Sequence, residues 1–151
     1  MMSDTDTAQR QHWISMLAQA LPEELECAWE AVEEKPAYRW LRPAESGLAM
    51  VRARAGGTGQ RFNLGETTMT RASILMGEIA GHGYLIGRNK RHAELAAVFD
   101  ALLQQDQYQQ GLLNSLIQPI KERLLTGKRQ QAEQVDKTRV EFFTMVRGES
   151  N

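Results

Sequence analysis

Two short β-like runs joined by a glycine-first pair constrain this chain more than any other feature. Residues 68–76 and 79–86, TMTRASILM and IAGHGYLI, are separated only by Gly77 and Glu78. A two-residue connection that opens on glycine suits a tight hairpin, because glycine enters the positive-φ region at no steric cost. An antiparallel sheet follows. Upstream the apolar period is again two: Tyr38 and Trp40 flank Arg39, and Val51, Ala53 and Ala55 alternate with Arg52 and Arg54. This predicts further strands with one polar face.

On either side of that stretch the period is helical. Ser3 or Asp4 is placed to cap a first helix in which Trp13, Met16, Leu17 and Ala20 form one apolar stripe. Pro22 fits the first position of a second helix, Glu23 and Glu24 favour its positive end, and Leu25, Ala28, Trp29 and Val32 continue the pattern. After the sheet region ends at Gly87 to Asn89, Asn89 is placed to cap a helix striped by Leu95, Val98, Phe99 and Leu102, expected to cover the sheet. Helical spacing resumes through Leu112, Leu113, Leu116, Ile117 and Ile120; Gly111 weakens it, and Pro119 is expected to kink or end it near Gln118.

The expected class is therefore α+β: an antiparallel β-sheet flanked by N-terminal and C-terminal helices, in a single domain over residues 1–151. A chain of 151 residues, 42% hydrophobic and 25% charged, has the size and balance for one moderate core. The end of the chain is different. After Gly127 the run KRQQAEQVDKTR offers only Ala132 and Val135 as apolar positions, which reads as a solvated helix. The following VEFFTMVRG crowds Val140, Phe142, Phe143, Met145 and Val146 together. Apolar surface of that density is covered, either as an edge strand of its own sheet or by docking on another subunit. Residues 128–151 are accordingly set apart as a candidate intersubunit C-terminal extension, with packing on the chain's own sheet as the equal alternative.

Charge and motifs exclude several function classes. Eighteen Lys and Arg against nineteen Asp and Glu give a net charge of −1, so no global basic field recruits nucleic acid and any anion site must be local. The one cysteine, Cys27, closes no internal disulfide and supplies no cysteine cluster, which fits a reducing compartment. No apolar run approaches the ~20 residues of a membrane span, and the polar start lacks a secretory layout, so a cytoplasmic protein is expected. Gly56, Gly57 and Gly59 in GGTG lack the Lys-Ser/Thr of a P-loop and the third glycine of a dinucleotide fingerprint. His12, His82 and His92 are scattered over separate elements without metal-ligand spacing. His92, beside Lys90 and Arg91, reads as part of a solvated helix cap, and His82 as a structural polar residue. No metal site and no catalytic residue are assigned.

The arginines carry the local signal. Arg52 and Arg54 share one face of a strand, Arg61 follows the glycine loop and Arg71 lies on a later strand, so a folded sheet has the means to gather guanidinium groups. Arginine suits phosphate because its planar fork donates two hydrogen bonds and keeps its charge. The plainer reading is the wet face of a strand, with Glu45 and Glu66 available as ion-pair partners.

Three blocks in order, GGTGQRFNLGETTMTRA (56–72), GYLIGRNKRHAELAAVFDALLQ (83–104) and RVEFFTMVRGE (139–149), with RQHWISMLAQA near the start, resemble the PhnG family. PhnG proteins are small subunits of the bacterial carbon–phosphorus lyase core complex, and the likeness runs over nearly the whole chain. The resemblance implies phosphonate catabolism within a hetero-oligomer of PhnG, PhnH, PhnI and PhnJ. With PhnH, PhnI and PhnL, such a subunit is needed to transfer the ribose 5-triphosphate unit of ATP to an alkylphosphonate such as methylphosphonate, with release of adenine. The enzyme so implied is alpha-D-ribose 1-methylphosphonate 5-triphosphate synthase, with PhnI as the nucleosidase component and no complete active site in this chain alone.

The resemblance also assigns the iron–sulfur and S-adenosylmethionine chemistry to PhnJ; Cys27 by itself holds no such cluster. This chain is then expected to bind no cofactor of its own, with ATP a substrate of the complex. Gly56, Gly57 and Gly59 become a family-signature loop, and Phe142, Phe143, Met145 and Val146 are expected to contact PhnI or PhnJ. Arg52, Arg54, Arg61 or Arg71 is expected to help hold a phosphate-bearing substrate at a subunit boundary, although the resemblance identifies no role for each arginine. The alternative is a free-standing small-molecule or anion-binding domain.

Overall fold

The computed structural model describes residues 4–54 and 61–130. Two helices open the chain, α1 (Asp4–Gln19) and α2 (Pro22–Ala31). Pro22 takes the first position of α2 as expected, and the preceding Leu21 N–H donates to Glu24 Oε1 at 2.7 Å, which closes the helix start. Three strands follow, β1 (Arg39–Arg54), β2 (Arg61–Met76) and β3 (Ile79–Ile86), paired antiparallel in the order β1-β2-β3. The expected hairpin is present: β2 and β3 flank Gly77-Glu78, with Gly77 at φ 63°. The expected upstream strands merge into one long β1. Its register shifts at Trp40/Arg42 and Arg42/Glu45 surround Pro43, a residue that a sheet tolerates at an edge or bulge.

Helix α3 (Lys90–Leu103) lies between the sheet and the other helices. Asn89 caps it, its Oδ1 accepting from the His92 N–H at 3.0 Å. The expected stripe is buried, and so is nearly every other residue of the helix: Ala93 and each residue from Leu95 to Leu103. A helix apolar on all sides needs cover on all sides. On one side α3 packs against β2 and β3, and on the other against α1 and α2, whose Trp13, Leu17 and Leu25 join Phe99 and Leu102 in the core. Each such fully buried side chain contributes about 1.5–3 kcal/mol.

The approach of α3 to β3 depends on two glycines. A Cβ on Gly81 would meet Ala97 O at 2.1 Å, and one on Gly83 would meet Ala93 O at 2.4 Å. Alanines 93, 96, 97 and 101 meet them from the helix, so backbone lies almost on backbone.

Beyond α3 come α4 (Asp106–Leu112) and a wide π turn (Leu113–Ile117) in which the Gln118 N–H reaches Leu113 O. The helix does not stop at Pro119: helical backbone continues over 118–130. Proline withdraws one donor, and the added residue of the wide turn shifts the ladder to absorb it. Leu116, Ile117 and Ile120 return to the core.

Candidate functional site: the open face of the sheet

With α3 covering one face, the other face of the sheet is the exposed surface that collects the most varied side chains. Register places them in rows across the strands: Arg42, Ser73 and His82; then Glu45, Arg71 and Tyr84; then Gly47, Met69 and Ile86. Two open grooves, about 630 and 570 Å³, meet over Arg71 and Tyr84, which line both. Tyr84 and Ile86 remain 42% and 73% exposed, although both belong to the strand nearest the core helix.

The polar contacts on this face are light. Arg71 Nε sits 3.4 Å from Glu45 Oε1, with both side chains more than half exposed, a pair worth at most about 1 kcal/mol in water. Ser73 Oγ and His82 Nδ1 are 2.8 Å apart. A guanidinium with donors to spare, an imidazole, a phenol and a hydroxyl around a shallow groove can bind an anionic group or the acidic surface of another protein. Among the described residues no group of three or more His, Cys, Asp or Glu is placed to hold a metal ion.

The structure separates the four arginines rather than gathering them. Arg54 and Arg61 are register partners and Arg52 pairs Asn63, all at the far end of the β1–β2 hairpin, whereas Arg71 pairs Glu45 in mid-sheet. Ten residues of extended chain between Arg61 and Arg71 span about 33 Å at ~3.3 Å per residue, so the backbone position of Arg71 lies well along the sheet from those of the other three. Its basic neighbours on the sheet are Arg42 and His82. Gly56, Gly57 and Gly59, and Phe142, Phe143, Met145 and Val146, lie outside the described residues.

Two polar residues play parts other than those the sequence suggested. His92 is not solvated: it is 5% exposed, and its Nε2–H donates to Leu17 O at 2.9 Å, tying α3 to α1. His92 and Ala93 turn inward from the first turn of α3 toward α1 while Lys90 and Arg91 stay exposed, a division that a local reading of Lys90-Arg91-His92 cannot reveal. Asp100 was not singled out at all, yet it is fully buried and accepts four hydrogen bonds. Arg10 Nε and Trp13 Nε1 donate to Oδ1 at 3.1 and 2.8 Å, and Arg10 Nη2 and the His82 backbone N–H donate to Oδ2, each at 2.9 Å. The hydrogen bond to Asp100 outweighs burial and raises the Arg10 pKa above its already high value. A lone carboxylate inside the apolar run AAVFDALL was the available signal for this lock.

Comparison with known proteins agrees with the sequence blocks. Residues 8–148 match the family model for phosphonate metabolism protein PhnG. The chain belongs to the PhnG family. Among curated relatives, the alpha-D-ribose 1-methylphosphonate 5-triphosphate synthase subunit PhnG of Rhizobium meliloti (strain 1021) is 45% identical over 148 residues, which cover 97% of this chain and 94% of the relative. In this PhnG family member the Asp100 lock, the Gly81–Gly83 seat and the buried His92 act on the scaffold, while the arginine-bearing rows face outward. Among the described residues no helix is long and apolar enough to cross a membrane.

Proposed function

We propose that this chain is an accessory subunit of alpha-D-ribose 1-methylphosphonate 5-triphosphate synthase, acting in phosphonate catabolism. The observation that carries the reading is 45% identity, over nearly the full length of both chains, to a protein named as that subunit. In this role it assembles with PhnH, PhnI and PhnJ, and works with PhnL, in the reaction that moves the ribose 5-triphosphate of ATP onto an alkylphosphonate and frees adenine. It binds no cofactor of its own; the iron–sulfur and S-adenosylmethionine chemistry belongs to a partner.

Within that role Arg71, backed by Arg42 and His82, is the described part of an anion-binding face. Arg52, Arg54 and Arg61 form a separate group at the hairpin end, and Phe142, Phe143, Met145 and Val146 supply partner contacts. Co-expression with the other subunits, followed by an assay for adenine released from ATP and methylphosphonate, tests the assignment. Full adenine release without this chain would sink it. Complete co-purification after truncation behind Thr138 would remove the role given to the tail. A monomer that binds the anion unaided would favour the free-standing alternative.

A further inference from the structure

The two edges of the sheet are treated differently. On β3 two of the outward backbone groups are taken by α3 and its C-cap: Asp100 Oδ2 accepts from the His82 N–H, and Gln104 Nε2 donates to Ala80 O, each at 2.9 Å. On β1, β2 is the sole strand neighbour among the described residues. Alternation along the ladder identifies which groups are outward. The Gly87 N–H bonds to Thr68 O at 2.8 Å, so even-numbered residues of this part of β2 turn toward β3 and odd-numbered ones toward β1. The β1 partners of the latter are Glu45, Gly47, Ala49 and Val51, which leaves the N–H and C=O groups of Ser46, Leu48 and Met50 pointing away from the sheet. No described side chain bonds to them. From Glu45 to Val51 the register is unbroken, with no proline, lysine or bulge to guard the edge, and Leu48 and Met50 are 72% and 52% exposed. Undefended edges of this kind pair with other strands.

We propose that the outer edge of β1 over Glu45–Val51 receives an extended segment of another synthase subunit by β-addition, a segment with apolar residues beside Leu48 and Met50 and acidic residues at its flanks. The proposal rests on the accessory-subunit reading. Charge selects the occupant: β1 carries Arg39, Arg42, Arg52 and Arg54 against Glu45, and β2 carries Arg61 and Arg71 against Glu66, in a chain of net charge −1. A second copy is disfavoured, since an antiparallel β1–β1 pair centred on Leu48 sets Arg42 of each copy opposite Arg54 of the other, and like charges opposed across strands repel. An acidic strand converts the same arginines into attraction.

Hydrogen exchange of the Ser46, Leu48 and Met50 amides, compared between the isolated chain and the assembled synthase, tests this. Those amides are expected to exchange freely in isolation and roughly a hundredfold more slowly in the assembly. Leu48→Pro removes the central donor, and Leu48→Glu keeps the donor but repels an acidic segment. Both are expected to retain the wild-type circular dichroism spectrum and to lose co-elution with the other subunits. Wild-type chain that fails to assemble at all counts against the accessory-subunit reading itself. Assembly with these amides still unprotected, or with Leu48→Pro and Leu48→Glu co-eluting normally, overturns the edge proposal alone. Protection already present in the isolated chain overturns it too: if independent of concentration the occupant is the chain's own segment, and if rising together with a doubled mass it is a second copy.

Discussion

The two edges of one three-stranded sheet show what the fold has closed and what it has left open. At β3, α3 is seated against glycines, a buried carboxylate draws α1 across the edge, and Gln104 takes a further carbonyl. At β1 the strand runs on past the length that β3 covers, its backbone groups turn outward and large apolar side chains stay in solvent. The first edge is made of contacts that stability depends on, and the second of contacts that stability does not need. Substitutions at β3 and α3 are therefore expected to unfold the chain, and substitutions on β1 to leave it folded but alone.

The strongest attack on the closed side is Gly81→Ala. Its Cβ would arrive 2.1 Å from Ala97 O, a backbone atom that moves only if α3 moves. Overpacking of this kind costs about 3 kcal/mol or more. A fall of several kcal/mol in urea unfolding is expected, and a wild-type midpoint would show that the helix does not sit where the comparison puts it. Asp100→Asn comes next. The amide keeps one acceptor oxygen and turns its NH₂ toward donors, leaving some of Arg10, Trp13 and the His82 N–H without a partner in a dry site. The expected cost is about 2–4 kcal/mol. Because the same carboxylate closes the β3 edge, the loss of stability should be accompanied by faster exchange of the His82 amide; unchanged exchange there would separate the lock from the edge.

How far the sequence carried this division depends on which forces are local. The hairpin at Gly77-Glu78, the Asn89 cap, Pro22 at a helix start and the stripes on α1 and α3 were legible because spacing and backbone chemistry act within a few residues. Asp100 and His92 were not, since their partners Arg10, Trp13 and Leu17 are 75 to 90 residues away in the chain. Nor was the meaning of Gly81 and Gly83 legible, because their cause is the backbone of a helix ten or more residues downstream. The arginines were visible as residues, but their separation depends on the length of β1 and β2, which the break in period around Pro43 disguised. The family blocks brought identity without geometry.

A milder perturbation reaches the contact between the helices and the start of β1. Tyr38 Oη donates to Glu94 Oε2 at 2.8 Å, and its ring meets Trp29 edge-on at 6.1 Å. Tyr38→Phe keeps the ring and removes the donor, at a cost of about 1 kcal/mol. Burial first, and then Glu94, raise the phenol pKa above its ordinary value near 10. A raised acid is protonated more readily in the folded state, so its contribution is complete below about pH 10 and is lost as pH rises through the folded value. The stability gap between wild type and Tyr38→Phe is therefore expected to stay constant through neutral pH and to close in alkali. A gap that widened there would reverse the sign.

The smallest effect on stability is expected at Arg71, and there the comparison is sharpest. Its pair with Glu45 is solvated on both sides, so Arg71→Ala should move the unfolding free energy by no more than about 0.5 kcal/mol. If the open face exists for binding, the same substitution in the assembled synthase raises the KM for ATP or phosphonate, or weakens assembly itself, while the isolated chain unfolds as before. A clear loss of stability would place Arg71 among the structural residues, with Asp100. Unchanged stability together with unchanged assembly and KM would leave it as the wet face of a strand, and the functional weight of the open side would then fall on the β1 edge.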